Sequence, residues 1–88
     1  MNDRESALTF PCEFPIKAMG QAQEGFEALV VGIVRRHVAD LKDGAVSRRP
    51  SQGGKYLSVT VVVEAASREQ LDDIYRELSA CEQVLMAL

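Results

Sequence analysis

Tryptophan is missing from this chain of 88 residues, and it carries only 2 cysteines, 3 prolines and 1 histidine. Two thiols, Cys12 and Cys81, are too few for a disulfide-stapled scaffold or a four-ligand zinc site, and they do not form a C-x-x-C pair. Nowhere does the chain reach the roughly 18 consecutive apolar residues of a membrane-spanning helix. Its start, Met1-Asn2-Asp3-Arg4-Glu5-Ser6, has neither the basic opening nor the apolar stretch of a secretory signal, so a cytoplasmic protein without membrane association is expected. A surplus of positive charge is lacking too. Ten basic against thirteen acidic side chains give a net charge of -3, which argues against a partner whose phosphates must be neutralised in number, so nucleic acid is not expected. The length allows one domain and no second core.

The hydrophobic fraction of 47% and the charged fraction of 26% are those of a chain that folds. A domain this small buries only about 60–65% of the surface its unfolded chain exposes, so a partner surface would add to a thin margin of stability. Residues 1–9 mix charge with little periodicity and read as a flexible arm; residues 10–88 form the domain.

From Cys12 to Met19 the pattern alternates, with Phe14, Ile16 and Ala18 on one side and Glu13, Pro15, Lys17 and Met19 on the other, predicting a first strand that ends at Gly20. Phe26, Leu29, Val30, Ile33, Val34 and His37 then follow helical spacing, placing a helix over about Gln23–Val38. Acidic Glu24 and Glu27 at its start and basic Arg35, Arg36 and His37 at its end suit the helix dipole. Ala45–Arg49 is a short strand of edge type, carrying two arginines and running into Pro50. Pro50-Ser51-Gln52-Gly53-Gly54 makes a hairpin turn, and Lys55–Ala65 the strongest strand of the chain. In that strand Leu57, Val59, Val61 and Val63 face one way, and Tyr56, Ser58, Thr60, Val62 and Glu64 the other. Ser67 and Gln70 have the spacing of a capping box, opening a second helix with Leu71, Ile74, Tyr75 and Leu78 buried and Asp72, Asp73, Arg76 and Glu77 toward water. Gln83–Leu88 reads as a final strand.

The order is βαββαβ. One apolar stripe on each helix and one aliphatic sheet face predict an α+β two-layer ferredoxin-like sandwich, with both helices on one face of an antiparallel sheet ordered 4-1-3-2. Strand four then runs antiparallel to strand one, which separates Cys12 from Cys81 by roughly 20 Å, far beyond disulfide reach.

Phe10-Pro11, Phe14, Lys17-x-Met19-Gly20, Ser51-x-x-Gly54-x-Tyr56-x-Ser58-Val59, Tyr75-x-x-Leu78 and Met86-x-Leu88 together resemble the YbeD-like family of small bacterial proteins. The resemblance runs from Phe10 to Leu88 and implies a fold similar to the ACT regulatory domains that bind amino acids. It further implies a link to lipoate metabolism. It brings no catalytic residues, and the chain departs from its relatives at Leu85, where they tend to carry a basic residue.

A ferredoxin-like fold hosts many functions, so particular side chains must decide among them. A metal chaperone needs a cysteine pair after the first strand, and Met19-Gly20-Gln21-Ala22-Gln23 has none; an acylphosphatase needs an arginine there, and residues 19–25 contain none. An RNA-recognition domain displays two or three aromatics on its open face, where only Tyr56 is well placed. His37 is a packed or helix-capping residue rather than a base, because no nucleophile or carboxylate can be assigned to it. Gly20 and Gly25 flank a loop whose amides could receive an anion or simply turn the chain. Lys17 falls beside Tyr56, Ser58 and Thr60 on the open face, where it either holds a carboxylate or phosphate or lays its stem along the sheet. Six basic groups in residues 35–55 face only Asp40 and Asp43, and six acidic groups in residues 64–82 face only Arg68 and Arg76. Such opposed patches suit self-association or a charged protein partner, or are simply solvated surfaces.

The combined reading is a non-enzymatic regulatory or protein-interaction module of ACT-like type, with no cofactor and no metal. Its candidate face comprises Lys17, Met19, Gly20, Tyr56, Ser58, Thr60 and Val62. Alternatives are an accessory protein of lipoate or acyl metabolism touching an enzyme or acyl carrier, and a sensor of a small anion or amino acid. The cysteine geometry is directly testable: under non-reducing, denaturing conditions a thiol reagent should titrate both Cys12 and Cys81, and a single disulfide consuming both would refute the predicted strand order.

Overall fold

A computed structural model describes residues 8–88. The predicted arm, residues 1–9, lies almost wholly outside these described residues. Within them β1 (Cys12–Gln21), α1 (Phe26–Arg35), β2 (Val46–Pro50), β3 (Tyr56–Ala65), α2 (Arg68–Ala80) and β4 (Met86–Ala87) follow in order. The sheet order β2-β3-β1-β4 is the predicted 4-1-3-2 read from its other edge. No described helix is long and apolar enough to cross a membrane.

Alternation builds the centre of the sheet. β1 and β3 pair antiparallel over ten positions, from Cys12 opposite Ala65 to Gln21 opposite Tyr56. Ile16 and Ala18 of β1 and Val59, Val61, Val63 and Ala65 of β3 are buried, while Glu13, Pro15, Lys17, Val62 and Glu64 between them are exposed. A slip of one residue would turn every one of these side chains to the wrong face. The helices close the buried face with Phe26, Val30, Ile33 and Val34 from α1 and Leu71, Ile74 and Leu78 from α2, forming one cluster with the strands. Each of these side chains, taken fully out of water, contributes about 1.5–3 kcal/mol where it is as large as Val, Leu, Ile or Phe.

Several boundaries differ from the sequence reading, each for a local reason. β1 does not stop at Gly20 but runs on to Gln21, because Gly20 still pairs with Leu57. Helix α1 is shorter at both ends than Gln23–Val38. Gly25, at φ 90°, holds a left-handed N-cap, and beyond Arg35 the chain passes into a turn in which the His37 and Val38 amides both donate to Val34 O. β2 takes in Pro50, which an edge strand tolerates because its missing amide costs no internal ladder bond. The final strand is Met86–Ala87 rather than Gln83–Leu88, since a turn, with the Val84 amide donating to Cys81 O, must first carry the chain from α2 to the sheet. Backbone bonds from Leu85 to Met19 and between Leu88 and Lys17 nonetheless extend its pairing.

The predicted cap at Ser67 forms, its side chain accepting from the Gln70 amide at 3.1 Å. Its reciprocal bond lands one residue early, from the Ala66 amide to Gln70 Oε1 at 2.7 Å. Gln70 Nε2 then donates to His37 O, tying the start of α2 to the end of α1. A second tie joins the same helices: Glu77, which the periodicity turned toward water, receives Arg36 and lies 2.7 Å from His37 Nε2. His37 therefore has the carboxylate partner that sequence spacing did not reveal. Forty residues separate the two, and only the packing of the helices brings them together.

Gly20 tests the packing of sheet against helices. A Cβ there would overlap the backbone oxygen of Gln83 and the ring of Phe26. Gly20→Ala should therefore cost about 1–3 kcal/mol in urea denaturation through overpacking, and an unchanged midpoint would refute this contact. Glu77 makes a pH prediction. Hydrogen bonds from Arg36, and then from His37, hold its carboxyl below the usual range, so the folded state binds the proton less readily than the unfolded. Its stabilisation is complete above the ordinary carboxylate pKa of about 4.3 and is lost as pH falls through the lowered folded value. The stability difference between wild type and Glu77→Gln should thus be largest at neutral pH and shrink in acid, as measured by denaturant titration at several pH values.

Candidate functional site

The sheet face opposite the helices carries the polar half of each alternating strand. Register places its side chains in rows. Ser47, Thr60 and Lys17 stand side by side across β2, β3 and β1, and Arg49, Ser58 and Met19 form the next row. Neighbours within a row have Cβ atoms about 4.5–5.5 Å apart. β4 continues the second row with Met86, which pairs with Met19 and is exposed.

Between these rows lies a groove of about 380 Å³, lined by Lys17, Ser47, Arg48, Arg49, Ser58 and Thr60. Among the described residues, no carboxylate, histidine or cysteine lines it. The two arginines serve opposite faces. Arg48 pairs in register with buried Val59, and its guanidinium reaches Glu27 of α1 at 3.1 Å, whereas Arg49 pairs with Ser58 on the open face. Among the described residues neither Lys17 nor Arg49 has a carboxylate partner. Nor, among them, do the hydroxyls of Ser47, Ser58 and Thr60 engage another protein group.

A smaller apolar hollow of about 130 Å³ adjoins this groove and shares Arg49 and Ser58 with it; Met19, Pro50, Ser51 and Tyr56 complete its lining. The hairpin holds Tyr56 in place: the Ser51 side chain accepts from the Tyr56 amide at 2.9 Å, and the Ser51 amide donates to Tyr56 O. Lys55 sits 5.8 Å from the Tyr56 ring centroid. At the other end of the face, Glu13, Asp40, Lys42, Asp43 and Glu64 line a third cavity together with Val62. The open face is thus cationic and hydroxyl-rich around Lys17 and Arg49, and acidic around Glu13 and Glu64.

Of the seven candidate residues, Lys17, Ser58 and Thr60 meet in the polar groove, and Met19, Tyr56 and Ser58 in the apolar hollow. Val62 is on the same face but belongs to the acidic cavity. Gly20 is corrected: strand alternation puts it with Ile16 and Ala18 on the helix face, where it is buried under Phe26 and Gln83. Ser47 and Arg49 were missed. Their signal was present as the alternation Ser47-x-Arg49, but two adjacent arginines look alike until the β2–β3 register separates them.

Chemically, this arrangement offers two cations and three hydroxyls to an anion, and a flat apolar bed beside them. His37, the one imidazole, is on the opposite layer, engaged with Glu77. The groove itself gathers a lysine, two arginines and three hydroxyls.

Comparison with known proteins agrees with this architecture. The model of a family described as "Protein of unknown function (DUF493)" matches residues 5–88. A UPF0250 protein of Ralstonia nicotianae is 45% identical over 85 residues, covering 97% of this chain and 88% of that one. A UPF0250 protein of Nitrosomonas europaea is 43% identical over 84 residues, covering 96% of this chain and 97% of its own. The solution structure of protein HP0495 from H. pylori superposes with a TM-score of 0.68 over 93% of this chain and 86% of that one; at 13% identity it speaks for the fold alone. With a family model spanning nearly the whole sequence and relatives matched end to end, the chain belongs to the DUF493 family, the YbeD-like UPF0250 proteins of bacteria.

Proposed function

We propose that this protein is a non-enzymatic interaction module of ACT-like type that works by binding through the open face of its sheet. The observation that carries this reading is the groove between β2, β3 and β1, where Lys17, Arg49 and three hydroxyls stand without protein partners among the described residues. Charged side chains gathered on one uncovered face steer encounter and fix register with a complementary surface. An acidic protein surface fits the cationic half of this face, and the acidic cavity near Glu13 and Glu64 would orient it by repulsion. The sensing of a small anion is the second reading, favoured by the same groove. The link to lipoate or acyl metabolism finds no residue on this face that would select it.

Crosslinking in native cells followed by mass spectrometry tests the interaction. Lys17→Glu and Val62→Asp change exposed positions and should leave the circular dichroism unchanged. Lys17→Glu should remove at least one crosslinked species, or a self-associated form seen by light scattering, that wild type shows. If both variants keep every species of the wild type, the open face is not where this protein binds.

A further inference from the structure

Going beyond that reading of the open face, we infer that the groove is a phosphate-binding site, and that its ligand is a phosphomonoester whose organic body lies on the apolar hollow formed by Met19, Pro50 and Tyr56. The geometry points to this ligand in three ways.

First, the cations converge. Lys17 and Arg49 are two strands apart and one row offset, a Cα separation of about 12 Å from ordinary sheet spacings. Both side chains project from the same face with no carboxylate to draw either away among the described residues. Their lengths let the ammonium and the guanidinium meet above Ser58 and Thr60. Two positive charges match a phosphomonoester dianion, and an arginine fork bonds two of its oxygens at once.

Second, the floor donates. Ser47, Ser58 and Thr60 are hydroxyls from two adjacent strands, and among the described residues none is committed to another protein group. A planar carboxylate has two oxygens to satisfy, whereas a phosphoryl group has three, which can take bonds from the floor and both flanks together.

Third, the hollow is continuous with the groove. Arg49 and Ser58 line both, and the hollow exposes no polar surface of its own. Bare phosphate would leave it empty. A small aromatic or aliphatic group joined to the phosphate through one ester oxygen would cover Tyr56 and Met19. The acidic cavity beyond Val62 closes the other direction to an anion.

The test is an amide-resolved NMR titration of the full chain with inorganic phosphate, phenyl phosphate and phenylacetate. Phenyl phosphate should give saturable shifts at Lys17, Ser47, Arg49, Ser58 and Thr60, and bind about ten-fold tighter than inorganic phosphate, the worth of a modest apolar contact. Phenylacetate, with the ring but a carboxylate, should bind more weakly than phenyl phosphate. Affinity should rise as pH passes about 6, where the monoester takes its second charge. Arg49→Gln and Lys17→Gln should each weaken phenyl phosphate about ten-fold, and Arg49→Lys less so, because the charge survives and only the fork is lost. Tyr56→Ala should abolish the advantage of phenyl over inorganic phosphate and leave inorganic phosphate binding as before.

Shifts that do not saturate, that cluster elsewhere, or that persist unchanged in Lys17→Gln and Arg49→Gln would overturn the phosphate site. If the titration fails while Lys17→Glu still removes a crosslinked species in cells, the face binds a protein and the phosphate inference alone falls. If phenyl phosphate binds as expected while the crosslinks are indifferent to Lys17, the site stands and the protein-interaction reading falls.

Discussion

Everything in this structure hangs on the pairing of β1 with β3. Ten consecutive antiparallel partners set the two central strands side by side, and each alternates aliphatic with polar or small residues in phase with the other. Because the side-chain period of a strand is two, that phase determines both faces at once. Ile16, Ala18, Val59, Val61 and Val63 are driven out of water against the helices, and Lys17, Ser58 and Thr60 are thereby turned outward together. The core and the candidate site are two consequences of one register.

The helical layer is joined by different means. α1 and α2 share the apolar cluster, but their ends are also fastened by polar ties: Gln70 to His37 O, and Glu77 to Arg36 and His37. These ties lie just past Arg35, where α1 ends although its apolar stripe continues to His37. Past Arg35 a last turn, with the His37 and Val38 amides both donating to Val34 O, carries the chain into these contacts with α2. A similar fastening acts on the last strand, where Tyr75 donates its hydroxyl to Leu88 O at 2.6 Å and meets Phe14 edge to face. Burial pushes the Tyr75 phenol above its ordinary range.

The two edges of the sheet are unlike. β2 presents Arg48, Arg49 and Pro50, the usual means by which an edge strand resists unwanted pairing. Of those side chains, Arg48 turns back to Glu27, and Arg49 turns onto the open face to flank the groove. A strand of guarded-edge type thus also supplies a charge to the groove, and it does so because it lies next to β3 and not elsewhere.

Periodicity alone determined the six elements, their faces and the capped start of α2, because these follow from spacings of two and of three to four along a continuous chain; the strand order followed from fitting the βαββαβ succession to a two-layer sandwich. It also singled out Lys17, Met19, Tyr56, Ser58 and Thr60, whose shared face follows from alternation within β1 and β3. Tertiary structure alone decided what depends on pieces far apart in sequence. It set Phe26 and the Gln83 backbone over Gly20, found Glu77 for His37, separated Arg48 from Arg49, and brought Ser47 and Arg49 to Lys17. Alternation says which residues of a strand point the same way, but not which strands are neighbours at which residue. A site shared by three strands becomes visible only when their hydrogen-bonded register is known.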